Sequence, residues 1–164
     1  MQQASIMVHQ QGPVAWVRIE GQGSFKNARH IKSFAEKMLE HGVNEFVFDL
    51  KTCTYMDSTF MGILAGIASN LKKHQAPPPV VANATPRNLE LLQNLGLDRL
   101  LKIENRQLEW EDFATISTSG DTKQNISKTM LEAHEALIQA DARNSAKFQD
   151  VLTYLREKLG VQDV

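Results

Sequence analysis

Ser58 is the hydroxyl in this sequence best placed to do chemistry. It lies in the run Tyr55-Met56-Asp57-Ser58-Thr59-Phe60-Met61-Gly62, between an apolar stretch over residues 45–50 and a second over about 59–73. The first reads as a buried strand and the second as a buried helix. A short polar turn between two such elements is where α/β proteins usually keep their function. Asp57 and Ser58 are both strong N-cap types and suit the start of the helix. A hydroxyl at that end can also carry a phosphate, because the phosphate meets free backbone N–H groups and the positive end of the helix dipole. On spacing alone Ser58 is a cap or a phosphate acceptor. Thr59 is a weaker alternative acceptor, and Asp57 is a second cap or the group that positions the Ser58 hydroxyl.

The other reactive residue types offer less. Cys53 is the single cysteine. With no histidine close by in sequence it reads as a small buried or half-buried residue rather than a nucleophile. One cysteine permits no internal disulfide and fits a reducing compartment. The five histidines (His9, His30, His41, His74 and His134) have no metal-ligand spacing and are expected on the surface. Gly21-x-Gly23 lacks the third glycine of a dinucleotide fingerprint, and no phosphate-binding Gly-x-x-x-x-Gly-Lys loop occurs. Asp49 ends a strand but lacks the acidic pair and lysine of a metal-assisted phosphoacceptor. No catalytic constellation, metal or cofactor is therefore expected.

The elements that must position Ser58 follow from periodicity. Residues 5–9 and 14–20 are rich in Ile, Val and Trp and flank Gln10-Gln11-Gly12-Pro13, so they predict a hairpin. Alternation puts Ala15, Val17 and Ile19 on its core face. Gly21-Gln22-Gly23-Ser24 is expected to break the second strand, with Ser24 capping a helix whose stripe runs from Phe25 through Ala28, Ile31, Phe34, Ala35 and Met38 to Leu39. Gly42 is its expected C′ residue. Phe46-Val47-Phe48 is apolar on both faces, as a central strand would be. In the helix after Ser58, Gly62, Ala65 and Gly66 are small enough to let it lie close to the sheet. Thr85 and Pro86 begin a third helix, Gly96 ends it, and a last short strand falls within residues 97–103.

Residues 104–115 are acidic and mixed, an edge strand or a connector. Residues 115–122 are small and polar and read as a linker. From about 122 to 159 there is neither proline nor glycine. Two apolar stripes occur there, Ile126, Met130, Ala133 and Leu137, then Phe148, Val151, Leu152, Leu155 and Leu159, with a break near Asn144. A solitary amphipathic helix is marginal in water. This extension is therefore expected to dock on the domain, pair with its own copy or hold a partner. The chain divides into a domain over 1–114, a linker over 115–122 and a helical extension over 123–160.

Composition excludes several classes. Eighteen basic against nineteen acidic side chains give a net charge of -1, with no pull toward nucleic acid or anionic lipid. No apolar run approaches the roughly 18 residues of a membrane span, and residues 1–11 do not read as a signal peptide. A cytoplasmic protein without membrane insertion is expected.

Phe48-Asp49-Leu50 followed by Met56-Asp57-Ser58-Thr59-Phe60-Met61-Gly62-Ile63-Leu64 resembles the centre of a STAS domain, the fold of bacterial anti-sigma factor antagonists. That family's pattern is an apolar strand ending in Asp-Leu, then an apolar residue, Asp-Ser-(Ser/Thr)-Gly-Leu-Gly and an apolar helix. Residues 88–103 are similar to its last helix and strand. The resemblance covers roughly residues 4–113. It implies an α/β fold with a mixed central sheet of four to five strands carrying helices, to which this chain adds the C-terminal α-helical extension.

It also implies a non-enzymatic, regulatory role in transcription. The unphosphorylated protein binds an anti-sigma factor that is a serine kinase, and phosphate on the serine after the aspartate, Ser58 here, breaks the complex. Met56, Asp57, Ser58, Thr59, Phe60, Met61 and Ser24 are the residues expected at the partner surface. A homodimer through the C-terminal helix is a further expectation. Phe60 stands where the family has glycine, and so projects onto the recognition surface or into the neighbouring loop. The alternative is a non-switching scaffold or assembly subunit in which Ser58 only caps its helix.

Overall fold

In a computed structural model, residues 4–108, 113–117 and 121–161 are described. The expected hairpin is present as β1 (Ser5–Gln11) and β2 (Val14–Gly23), paired antiparallel. Ala15, Val17 and Ile19 are its buried face, as alternation requires. The strand does not break at Gly21. It continues through a bulge between Gly21 and Gln22, with Gly21 at φ 86°, a conformation glycine adopts without steric cost. The extension pairs in parallel with β4 (Cys53–Met56), the strand that leads directly into Ser58.

The remaining strands are β3 (Glu45–Asp49), β5 (Val80–Ala82), β6 (Lys102–Glu104) and β7 (Ala114–Ile116). The sheet order is β6-β5-β3-β2-β1-β7, with β4 off this path beside β2. β2, β3, β5 and β6 run parallel, while β1 is antiparallel to β2 and β7. The mixed sheet expected of the fold is thus larger by β4 and β7, each too short to show a two-residue alternation. β7 also claims Thr115 and Ile116, two residues of the expected linker. Residues 118–120 of that linker lie outside the described residues.

Helix α1 (Ala28–Glu40) begins three residues later than the apolar stripe suggests, and Ser24 does not cap it. Ser24 instead builds the preceding turn: its Oγ accepts from the Lys26 N–H at 3.2 Å, and its own N–H donates to Asn27 Oδ1 at 2.9 Å. Phe25 consequently falls outside the helix and is 36% exposed. Gly42, at φ 82°, follows the C-cap residue His41, as expected of a C′ glycine. In α3 (Pro86–Asn94), Thr85 Oγ1 accepts from Asn88 N–H at 3.2 Å and Pro86 takes the first turn, as read from the sequence.

Helix α2 (Ser58–Lys73) buries ten of its sixteen residues. A helix apolar nearly all round is covered on more than one side, and here the covers are the sheet and the C-terminal extension. The extension is a hairpin of α4 (Lys123–Ala140) and α5 (Asn144–Leu159), broken at residues 141–143. Ala133 and Leu137 of α4 are fully buried in the main core. The approach of α4 to α2 depends on Gly62. A Cβ there would collide with the Ala133 carbonyl oxygen and come within 2.7 Å of the Ala133 Cβ. Gly62 and Gly66 thus face Ala133 and Ala136 of α4, not the sheet they were expected to approach.

Leu131, Leu152 and Leu155 form a second, smaller cluster that holds α5 on α4. Polar contacts pin the hairpin along its length. Lys32 pairs with Glu132, Arg29 with Asp121 at 2.9 Å, Asn144 Nδ2 donates to Leu95 O at 3.0 Å, and Lys147 Nζ donates to Asn94 O at 2.7 Å. The extension docks on its own domain, one of the fates expected for it.

Candidate functional site

Asp57 organises the turn before α2. Its Oδ1 accepts from the Phe60 N–H at 2.8 Å, its Oδ2 accepts from the Phe25 N–H at 2.9 Å, and its own N–H donates to Gly23 O at 2.9 Å. Asp57 is the N-cap, with extended backbone at φ -88° and ψ 173°. It also ties the β2–α1 turn to the start of α2. Ser58 is therefore the first helical residue, and its side chain carries no capping bond. The reading of Ser58 as nothing but a cap does not hold.

The Ser58 hydroxyl instead meets α4. Its Oγ lies 2.9 Å from His134 Nε2, and His134 Nδ1 lies 2.6 Å from the Met130 carbonyl oxygen. A carbonyl only accepts, so the ring's N–H is at Nδ1. In the neutral ring Nε2 is then an acceptor, and the Ser58 O–H donates to it. Phe148 of α5 backs the ring edge-on, with centroids 5.0 Å apart and planes at 68°. His134 is 3% exposed, against the expectation that the histidines lie at the surface. Ser58 itself is half-buried. Sequence reasoning missed His134 because 76 positions separate it from Ser58. A signal was present, since His134 sits four residues after Met130 and three before Leu137, on the apolar face of its helix.

Most of the expected contact residues are not on the surface. Met56 is 0%, Phe60 1%, Thr59 2% and Met61 4% exposed. Met56 ends β4 and the other three lie on α2, which is covered on two sides, so none of the four offers an apolar patch to a partner in this arrangement. Phe60 takes neither of its two expected positions: it packs in the core against Gly23, the last residue of β2. Its ring takes the space where Gly23 lacks a side chain: a Cβ on Gly23 would lie 2.8 Å from Phe60 Cγ. Asp57, Ser58 and Ser24 remain partly accessible. Two aromatic residues left out of the expected surface are exposed beside them, Phe25 and Tyr55, each 36% accessible. The Arg87 guanidinium stands 5.2 Å from the Tyr55 ring centroid, within cation–π range.

The remaining candidates have structural duties. Cys53 is buried, and burial pushes its thiol above the ordinary range, which suits an inert residue. Asn88 Nδ2 donates to the Cys53 carbonyl at 2.9 Å and anchors α3 to β4. Asp49 is paired with Arg18 at 3.0 Å across β3 and β2. Among the described residues no group of three or more His, Cys, Asp or Glu side chains could hold a metal ion. No helix among them is long and apolar enough to cross a membrane. A cleft of about 290 Å³ between α1, α2 and α4 is lined by Gly62, Ile63, Lys32 and Glu132, among others, and begins one turn beyond Ser58 without including it.

A model of the STAS domain family matches residues 5–109. The chain belongs to the STAS domain family. Comparison with curated proteins gave no match. Solved structures share the fold of this STAS domain. The anti-sigma factor antagonist SpoIIAA in its unphosphorylated form aligns with a TM-score of 0.55 at 15% identity, over 60% of this chain and 86% of its own. The Bacillus cell fate determinant SpoIIAA in the phosphorylated form gives 0.51 at 15% identity, over 60% and 89%. An anti-sigma factor antagonist from Mycobacterium paratuberculosis gives 0.54 at 19% identity, over 62% and 86%. The family match ends before α4. The residue that engages Ser58 of the STAS domain therefore comes from outside the matched region.

Proposed function

We propose that this STAS protein is an anti-sigma factor antagonist, acting by binding rather than catalysis, whose cytoplasmic partner is an anti-sigma factor of the serine-kinase type. Ser58 is the residue that partner phosphorylates, and the phosphate ends the complex. The observation that carries this reading is the position of Ser58. It is the first residue of α2, beside a separate cap, with its hydroxyl free of any bond that holds the helix together. A phosphate there meets helix N–H groups, so it costs α2 itself little. It adds about -1.5 to -2 charges to the surface a partner must cover. Asp57, Ser24, Phe25 and Tyr55 supply accessible polar and aromatic groups around it. Aromatic anchors of this kind are enriched at protein interfaces.

One observation favours the scaffold reading. The Ser58 hydroxyl is already engaged by His134, and α4 lies along α2. A STAS subunit that never switches would tolerate both. Intact-mass measurement and peptide mapping after incubation of the full chain with ATP and its organism's serine-kinase anti-sigma factor separate the two readings. A single phosphate on Ser58 is expected. An unmodified chain, together with a Ser58→Asp variant that binds that kinase as well as the wild type does, supports the scaffold.

A further inference from the structure

We propose that the α4–α5 hairpin is a latch on the switch face of the domain, closed by the Ser58–His134 hydrogen bond and opened by phosphate on Ser58. This rests on the reading of Ser58 as the phosphate acceptor and adds how the covered serine is regulated.

The latch is built at one end of the α2–α4 contact. Ser58 and Gly62 lie one turn apart on α2, and the residues they meet, His134 and Ala133, are neighbours on α4. The contact at Gly62 is backbone against backbone, so α4 has no room to move closer to α2. The His134 ring is fixed from two further sides, by the Met130 carbonyl and by Phe148. Only a hydrogen-bond length, 2.9 Å, separates Oγ from Nε2.

Phosphorylation forms the Oγ–P bond as the bond from the γ-phosphorus of a nucleoside triphosphate to its diphosphate leaving group breaks. The diphosphate departs, and the hydroxyl proton that His134 accepts leaves with the kinase's base. A tetrahedral group then stands where one hydrogen fitted. Its oxygens stand against the His134 ring, which the Met130 carbonyl and Phe148 hold in place. The α2–α4 contact is already closed one turn away at Gly62 and Ala133, so the space the phosphate needs opens only if α4 moves off. In the closed state α4 covers one face of α2 and leaves Asp57, Phe25 and Tyr55 accessible to the partner. In the phosphorylated state the hairpin is released.

The test uses the full chain with phosphoserine installed at position 58 by genetic encoding, read by amide hydrogen exchange. Release predicts exchange over α4 at least about tenfold faster than in the unmodified chain, with β3 and β5 unchanged. Ser58→Ala, which only loses the hydrogen bond, should give a smaller increase. Gly66→Cys with Ala136→Cys provides a lock, since a Cβ on Gly66 would lie 3.8 Å from that of Ala136, within the span of a disulfide. Oxidation of that pair should restore slow exchange to the phosphorylated chain, and reduction should abolish the restoration. Unchanged or slower α4 exchange in the phosphorylated chain overturns the latch, as does loss of protection throughout the sheet. The two readings fail separately. A kinase that leaves Ser58 unmodified sinks the proposed function, whereas the exchange result on the encoded phosphoserine decides the latch by itself.

Discussion

Asp57 and Ser58 are adjacent, similar in capping propensity and different in duty, and the difference is measurable. Asp57 accepts two backbone N–H groups, from Phe60 and Phe25. Asp57→Ala should lower stability by about 0.5–2 kcal/mol, as loss of a cap does. Ser58→Ala removes one partly buried hydrogen bond to His134 and should cost about 1 kcal/mol or less. Urea denaturation of both variants checks the order, and a reversed order would return the cap to Ser58. Phe60 is fully buried against Gly23, so Phe60→Ala should cost about 3–5 kcal/mol. Near-neutral stability of that variant would place the ring at the surface. The sequence did not place Phe60 because polar Asp57, Ser58 and Thr59 precede it while apolar Met61, Ile63 and Leu64 follow it. The glycine that receives it stands 37 residues earlier, at the end of β2 beyond the bulge.

The elements differ in how far they could be read. α2 and α3 announce themselves by periodicity and by their N-capping residues, α1 and the β1–β2 hairpin by periodicity. β4 and β7 do not, because strands of three or four residues take their structure from the partner they pair with. The extension declared two apolar stripes and a break but not its destination, since an apolar face is the same whether it meets its own domain or another chain. Val151, expected in the second stripe, is in fact 37% exposed.

The break is held by Asp141. Its carboxylate accepts from the Arg143 side chain and backbone N–H and pairs with Arg99, which hold its pKa down at about 2. Its pKa in the unfolded chain is the ordinary one, roughly 3.9. A folded pKa below the unfolded one stabilises above the unfolded value, and that contribution is lost as pH falls toward the folded value. The stability difference between wild type and Asp141→Asn should therefore be constant from pH 7 to about pH 5 and shrink as pH drops toward 2. Denaturation curves across that range check it.

In the molecule as a whole, a STAS domain carries its own cover. The domain was legible in the Asp-Ser-Thr run and the order of strands and helices. The cover was not, because the bond that joins the two parts links side chains far apart in sequence. Gly62 is where the parts meet most closely, and Gly62→Val should drive α4 away from α2 because Ala133 leaves no room for a side chain. Accelerated amide exchange over α4, with the sheet still protected, would register that separation. The central claim is that phosphate on Ser58 governs partner binding. Titration calorimetry of the full chain, unmodified and with phosphoserine at 58, against the serine-kinase anti-sigma factor tests it most directly. The unmodified chain should bind, and the phosphorylated chain should bind at least about 100-fold more weakly, a loss of about 2.7 kcal/mol. Equal affinity of the two forms would contradict it.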